Sequence, residues 1–418
     1  MMRHLVREWR FLLGQNNVVI LLCLCCALSS FAIYSGHQEI VAQHFTIERL
    51  QLAQQQDQQD ILAKHKTPGS LAYYQFHLTY QTPSHLSFAA LGDRDLYPWK
   101  HRIRMLALEG QIYESDVTNP ELAYIGKFDF SFLISVLAPL FVILMLHDII
   151  ANERNKGRYE LLVVTASGSV VLWGYKTLVR FLALSLSMLA PFYIGSALND
   201  VPLYDVLHVS ILVLAYLAFW AALTLWFGRQ SIFAPRIAAT LIGFWVAVTC
   251  VIPITGNLLI EKNIEVPKGS EILLLQREIV NQAWDIPAET SLTEFVKTHP
   301  EYRVYTEMSE GFHWKWYYAF QQLGDQAVAH LAFDYRNAIL TKFDLGGYIA
   351  MFAPPVLMRR QLSRMAQTDV ISALRYEQSI RDFHQALRLY YYPYLFELHL
   401  FDESTLADMP QYSDFARL

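Results

Sequence analysis

Charge is scarce in this chain, and cysteine nearly absent. Only 17% of the residues are charged and 54% are hydrophobic, against about a quarter charged in ordinary soluble domains. The shortage falls in blocks, which points to membrane spans rather than to one apolar core. The four cysteines, Cys23, Cys25, Cys26 and Cys250, all lie in apolar runs. The long polar segments have none, which excludes a disulfide framework and cysteine-built metal sites there. With a net charge of −5 and no basic tail, nucleic acid is not an expected partner. Catalytic signatures are missing too. There is no phosphate loop, no HExxH and no GxSxG. The nearest look-alike, GSVVLWGYKT at 168–177, has one residue too many before its second glycine and Tyr175 intervening. No cofactor, metal or catalytic site is expected.

What is present are five apolar runs, near 18–34, 130–147, 181–198, 206–227 and 237–254. Each is long enough to cross a hydrocarbon layer of roughly 30 Å, several of them near the short limit. Basic residues fall at Arg3, Arg7 and Arg10, at Arg154, Lys156 and Arg158, and at Arg229 and Arg236. The third-to-fourth connection, NDVPLYD, has two aspartates and no base. Charge bias and alternation agree on a cytoplasmic N-terminus. The first run also reads as a secretory signal, but Gln15, Asn16 and Asn17 interrupt it and no small-x-small site follows, so a retained anchor is expected. Ahead of it, Leu5, Trp9, Leu12 and Leu13 recur at helical spacing, which suits an interfacial helix; a plain extension of the span is the alternative. Pro139, Pro191 and Pro253 mark possible kinks in three spans.

This divides the chain into 1–35 (interfacial helix and first span), a polar segment 36–128, the spans of 129–256, and a second polar segment 257–418. The polar segments are expected outside the cytoplasm, mainly helical with some strand. The Gln-rich stretch IERLQLAQQQDQQDILAKH favours helix through its straight-chain residues, SLAYYQFHLTYQ alternates like a strand, and the second segment reads as helices separated by Pro287, Pro300, Pro354 and Pro355. The run GGYIAMFAPPVLM at 346–358 is too short to span and is placed at the membrane surface or under the domain.

Few polar side chains here suggest chemistry. His384 with His399, and His77 with His85, are candidates to converge, with ordinary roles favoured. Asp93, Asp95, Glu109, Glu114 and Asp116 interleave with Arg94, Arg102 and Arg104, which favours structural ion pairs over acid–base work. His147 and Asp148 close the second span and read as interfacial, and Lys176 and Arg180, with Trp173 and Tyr175, reach the same interface.

The most informative words are the charged ones between the second and third spans. NERNKGRYELLVV (152–164), within a connection taken as 148–180, carries both signs of charge and a glycine, and is long enough to dock something. Here the chain resembles the ABC-2 type transporter permeases, in which an acid, a base and a glycine follow the second span, then a leucine pair and a lysine. The matching residues are Glu153, Lys156, Gly157, Leu161, Leu162 and Lys176, with Arg154 and Glu160 among them. Arg158 stands where the family often has threonine. LALEGQIYESDVTNPELA (106–123), the following FDF, and MAQTD with Phe383 and His384 downstream are similar to a subgroup with large extracytoplasmic inserts and no characterised substrate.

The resemblance implies an ABC-2 type transmembrane bundle that pairs with a second copy or paralogue in the lipid bilayer. Each copy would rest on a cytoplasmic ABC ATPase subunit that binds the ATP. It implies a bacterial inner membrane, a coupling role for the 148–180 connection, and a last span after the second insert; either the sequence stops short of that span near Leu418 or this member ends outside the membrane. A periplasmic partner is a further expectation for the inserts. The alternative is a membrane-anchored sensory or assembly protein whose polar segments bind a ligand or partner.

Overall fold

Residues 2–13 and 16–64 form the first two helices, α1 (Met2–Leu13) and α2 (Asn16–Lys64). The computed structural model describes residues 2–95, 97–114, 128–165, 169–230, 233–308 and 311–416. α2 is 49 residues long, about 74 Å at 1.5 Å per residue. Its first part is apolar, and the Gln-rich stretch continues the same helix without a break. Gln, Leu, Ala and Glu lose little freedom in a helix, and no proline intervenes.

Thr67 then caps α3 (Pro68–Tyr74), accepting from Ser70 N at 3.4 Å with proline in the first turn. That start converts half of the expected strand into helix. Only His77–Tyr80 (β1) is strand, paired antiparallel with Lys100–Ile103 (β2) in the register His77 to Ile103 and Thr79 to His101. A short helix, α4 (Glu109–Tyr113), follows. Asp116 and most of the motif beyond Glu114 lie outside the described residues.

The remaining spans are α5 (Phe130–Asn155), α7 (Ser169–Leu198), α8 (Leu203–Gln230) and α9 (Ala234–Asn263), with α6 (Tyr159–Thr165) between the first two. Among the described residues, five helices, α2 among them, are thus long and apolar enough to cross a membrane. α5 and α9 each contain one π-turn, Leu133–Leu137 and Ala247–Val251. α1 packs on α7 through Leu12, which is buried, while Val6, Phe11 and Leu13 stay exposed. The C-terminal third adds α10 (Gly269–Gln282), α11 (Ala288–Thr298), α12 (Trp314–Phe352), α13 (Pro354–Met365) and α14 (Val370–Leu395).

Two apolar cores result. One fills the bundle. The other joins Ala72, Ile103, Met105, Leu108 and Ile112 of the first polar segment to Phe295, Trp316, Phe320, Tyr376, Phe383 and Tyr392 of the second. The two polar segments therefore share one core and build one domain. The run at 346–358 ends α12 and opens α13. Ile349 touches α9 at Gly256, and Met358 and Leu362 enter the bundle core.

Where domain and bundle meet, loop 84–91 is drawn into the bundle. Phe88 is fully buried, its ring 6.2 Å from that of Phe192, which stacks on Phe130 at 5.1 Å. Asp129 caps the start of α5, accepting from Phe132 N at 2.7 Å, and its other oxygen accepts from Leu91 N at 2.8 Å. Thr368 donates to Ala90 O at 2.7 Å, and Ser84 donates to Ala366 O at 2.5 Å. Gly36 of α2 lies against this loop so closely that a Cβ there would sit 1.9 Å from the Phe88 carbonyl oxygen. Gly36→Ala is expected to cost about 1–3 kcal/mol by overpacking against a backbone that cannot swing aside. A thermal melt of the purified variant that matches wild type would count against this contact.

Candidate functional site

The apolar register of α5 ends at Leu146, and the backbone turns at 147–150 before resuming as Ala151–Asn155. His147 Nδ1 bonds the Ile143 carbonyl at 2.9 Å. Arg180 of α7, nearly buried, donates to Met145 O at 2.6 Å and to Gln15 Oε1 at 3.1 Å, and lies 3.6 Å from Asp148. One guanidinium thereby ties the end of α5 to α7 and to the junction of α1 and α2. Its five donors in a fixed plane span these partners, where the compact ammonium of a lysine lacks that planar fork.

Beyond this tie sits Glu153, with only 13% of its side chain exposed. Arg158 donates to its Oε2 at 3.0 Å through Nε and 2.8 Å through Nη2, and Lys176 approaches Oε1 at 3.6 Å. Arg154 donates to Arg229 O at 3.1 Å and covers the Tyr159 ring at 4.7 Å; that ring stacks on Trp173, with Lys176 5.5 Å from the indole centre. Gly157 makes the turn possible. Its φ is +66°, and nothing lies within 4 Å of a Cβ there, so the conformation and not the space asks for glycine.

Of the residues singled out by sequence, the structure brings Glu153, Arg158 and Lys176 into one charge cluster, with Arg154 beside it. His147 and Asp148 flank it through the α5 turn and Arg180. Lys156 and Glu160 are exposed to one side. The leucine pair divides. Leu162 packs toward the bundle core, while Leu161 is 66% exposed, as is Val164 at 78%. The segment thus offers a rigidly tied, mixed-charge face with two apolar side chains standing out of it.

A second polar cluster lies in the domain, around a cleft of about 440 Å³ between α4, α12 and α14. Arg381 grips Glu109 with two bonds of 2.8 Å and lies 3.5 Å from Glu377. Arg388 pairs with Asp325 at 2.6 Å; Asp325 also accepts from Leu108 N at 2.7 Å, Glu109 N at 3.0 Å and the Gln276 amide. Burial pushes the Asp325 carboxyl above its usual range, against the pull of Arg388.

The expected ion pairing of Glu109 and Glu114 is present, but with Arg381 and Arg277 and not with the neighbouring arginines. Arg94 is buried and donates to Gln43, and Arg102 pairs with Asp57 of α2. The side chains of Asp93 and Asp95 lie outside the described residues. Among the described residues no cluster of His, Cys, Asp and Glu has the geometry of a metal site.

The histidines converge differently from either expected pair. His77 and His101 face α14 from the two strands, the first against Phe383 (ring centres 5.5 Å), the second 3.2 Å from Tyr376 Oη. His384 bonds the Arg104 carbonyl at 3.1 Å. His85 instead bonds Asn199 O at 3.0 Å, and the ring of His399 lies 6.4 Å from that of Tyr394. The pairs Glu109–Arg381, Asp325–Arg388 and His101–Tyr376 carried no local signal in the sequence, since the members of each come from distant parts of the chain.

A family model described as a domain of unknown function (DUF3526) matches residues 270–414, the part of the chain that supplies α10 to α14. To that extent the chain is similar to that family. No curated protein and no solved structure matches the chain.

Proposed function

We propose that this membrane-embedded chain is the transmembrane subunit of an ATP-driven transporter of the ABC-2 exporter type. A separate ATPase would dock on the face formed by residues 147–165. The observation that carries the reading is that face itself. It follows a membrane-length helix, is tied to α7 and to the α1–α2 junction by Arg180, and exposes Leu161 and Val164 beside the Glu153 cluster. Such a face transmits a push, because Glu153, Arg154 and Arg158 are held by partners within the chain while Leu161 and Val164 stand exposed to meet another surface. In this reading the face is cytoplasmic, the polar domain lies on the opposite side of a bacterial inner membrane, and a second copy or paralogue completes the pore. Arg158, the departure from the ABC-2 pattern, serves as a second counter-ion to Glu153.

The test is Glu153→Lys in the full chain reconstituted with its ATPase. It places a third cation beside Lys176 and Arg158, so the turn is expected to open and stimulated ATP hydrolysis to fall about tenfold or more. Arg158→Thr, which leaves Lys176 as partner, is expected to retain most of it. An unaltered rate in Glu153→Lys removes the docking role.

A second reading, a sensory or assembly protein, is favoured by one observation: two separate polar segments close around a single charged cleft. Under it, charge reversal between Arg154 and Glu160 leaves activity intact.

A further inference from the structure

The two π-turns share a chemical cause. Each is followed, two residues later, by a proline: Pro139 after Leu133–Leu137 and Pro253 after Ala247–Val251. Proline has no N–H, so the carbonyl four residues earlier loses its helical donor and is pressed by the ring. Those carbonyls belong to Ser135 and Thr249, inside the turns. Widening the coil by one residue relieves the clash, and Ala138 N accordingly bonds Leu133 O, as Ile252 N bonds Ala247 O, five residues back.

In α5 the carbonyls of the widened turn are taken over by side chains from two other spans. Tyr216 of α8 donates to Ser135 O at 2.6 Å, and Trp245 of α9 donates from Nε1 to Val136 O at 3.0 Å. Trp245 stands two residues before the π-turn of its own helix, so the two irregular turns are bonded to one another's neighbourhood. The hydroxyls of Ser131, Ser135 and Thr249 are buried there without a hydrogen-bond partner among the described residues. An idle hydroxyl in an apolar bundle is costly.

α13 lies across both π-turns, its Met358 and Leu362 buried in the bundle core. It is the helix through which the polar domain rests on the bundle, one residue after α12 ends. A change of register in either turn therefore cannot occur without moving α13.

We propose that the paired π-turns of α5 and α9 are a hinge. Across it, the domain-side ends of both helices swing together with α13, and Tyr216 latches the arrangement seen here. Packed helices joined at interhelical hydrogen bonds switch between discrete states rather than bending smoothly, and the proline-freed carbonyls are what can exchange donors. The proposal does not depend on the transport reading, since it concerns how the chain itself moves.

Hydrogen exchange on the full chain in lipid nanodiscs tests it, with the middle of α8 as the regular-helix reference. Amides of 133–141 and 247–255 are expected to exchange about tenfold or more faster than that reference despite burial. Tyr216→Phe, which frees the Ser135 carbonyl, is expected to speed 133–141 further. Pro139→Ala with Pro253→Ala is expected to slow both segments to the rate of α8. In a background with the four cysteines replaced, spin labels at positions 155 and 359 are expected to show a broad distance distribution that narrows in the double-alanine variant. Exchange at both turns as slow as in α8, or a label distribution that the proline replacements leave unchanged, overturns the hinge. Should the double variant not fold, an unchanged exchange rate in Tyr216→Phe overturns it alone.

Discussion

Arg381→Met is expected to be the most damaging single change in the polar domain, at about 3–5 kcal/mol. Arg381 stands between two carboxylates that are nearly out of solvent, with 10% of the Glu109 side chain and 13% of Glu377 exposed. Burial already pushes the Glu377 carboxyl up, and Arg381 holds it down. Without the guanidinium, two like charges remain in a low-dielectric site, and one must take up a proton or drag in water.

The domain's own tryptophans, Trp99, Trp284, Trp314 and Trp316, give a fluorescence signal for its unfolding. The midpoint is expected to drop by roughly 6–20 °C. Arg381→Lys keeps the charge but not the two-bond grip, and should fall between. A double change of Glu109→Gln with Arg381→Met should recover part of the loss, because less uncompensated charge stays buried. A melt of Arg381→Met within 2 °C of wild type would show that the pair is not holding the segments together.

Acid is expected to unfold the same domain well before its carboxylates are titrated out. Burial lowers His77 and His101 from the ordinary 6.5 to about 4, and His384 is lowered as well, by burial first and by Arg388. The folded chain therefore keeps all three neutral while the unfolded chain protonates them near 6.5. Between about 6.5 and 4 the unfolded state binds more protons, so stability rises with pH in that window and is lost as pH falls through it.

Each histidine contributes up to about 1.4 kcal/mol per pH unit, and three together roughly 4. Asp325 and Glu377, whose carboxyls are raised, work in the opposite sense as pH falls and soften the lower end of the window. The Nε2 atom of His77 is buried without a hydrogen-bond partner among the described residues, which adds to the cost of protonating it. Melting midpoints between pH 7.5 and 5 should fall steadily, and His101→Gln should flatten the slope by about one proton. A midpoint independent of pH across that range would refute the assignment.

The parts of this fold that were legible in the sequence are those set by neighbours in the chain. Apolar length placed five spans, and side-chain entropy carried the Gln-rich stretch as helix. Gly157 and the flanking charges marked the turn and charge cluster after α5. Alternation misled at 68–74, where Thr67 and Pro68 start a helix that outcompetes the strand pattern. The single domain was not legible, because its core pairs Ile103 and Leu108 with Phe383 and Tyr392 across more than 250 positions, and nothing local in either segment names the other. Pro139 and Pro253 were visible as kink sites. That each would widen a turn, that Tyr216 would answer the freed Ser135 carbonyl, and that Trp245 would bond its neighbour Val136, is a property of three helices packed together.

The unbroken course of α2 makes the protein a lever. With 49 residues in one helix and roughly 20 of them needed to cross hydrocarbon, the remainder is a stiff arm of some 45 Å. The tilt of the first span in the bilayer and the heading of the polar domain are then a single variable. A 10° change at the membrane carries the far end of the arm about 8 Å sideways. Bilayer thickness, which sets that tilt, would be written directly into where the tip of the domain points.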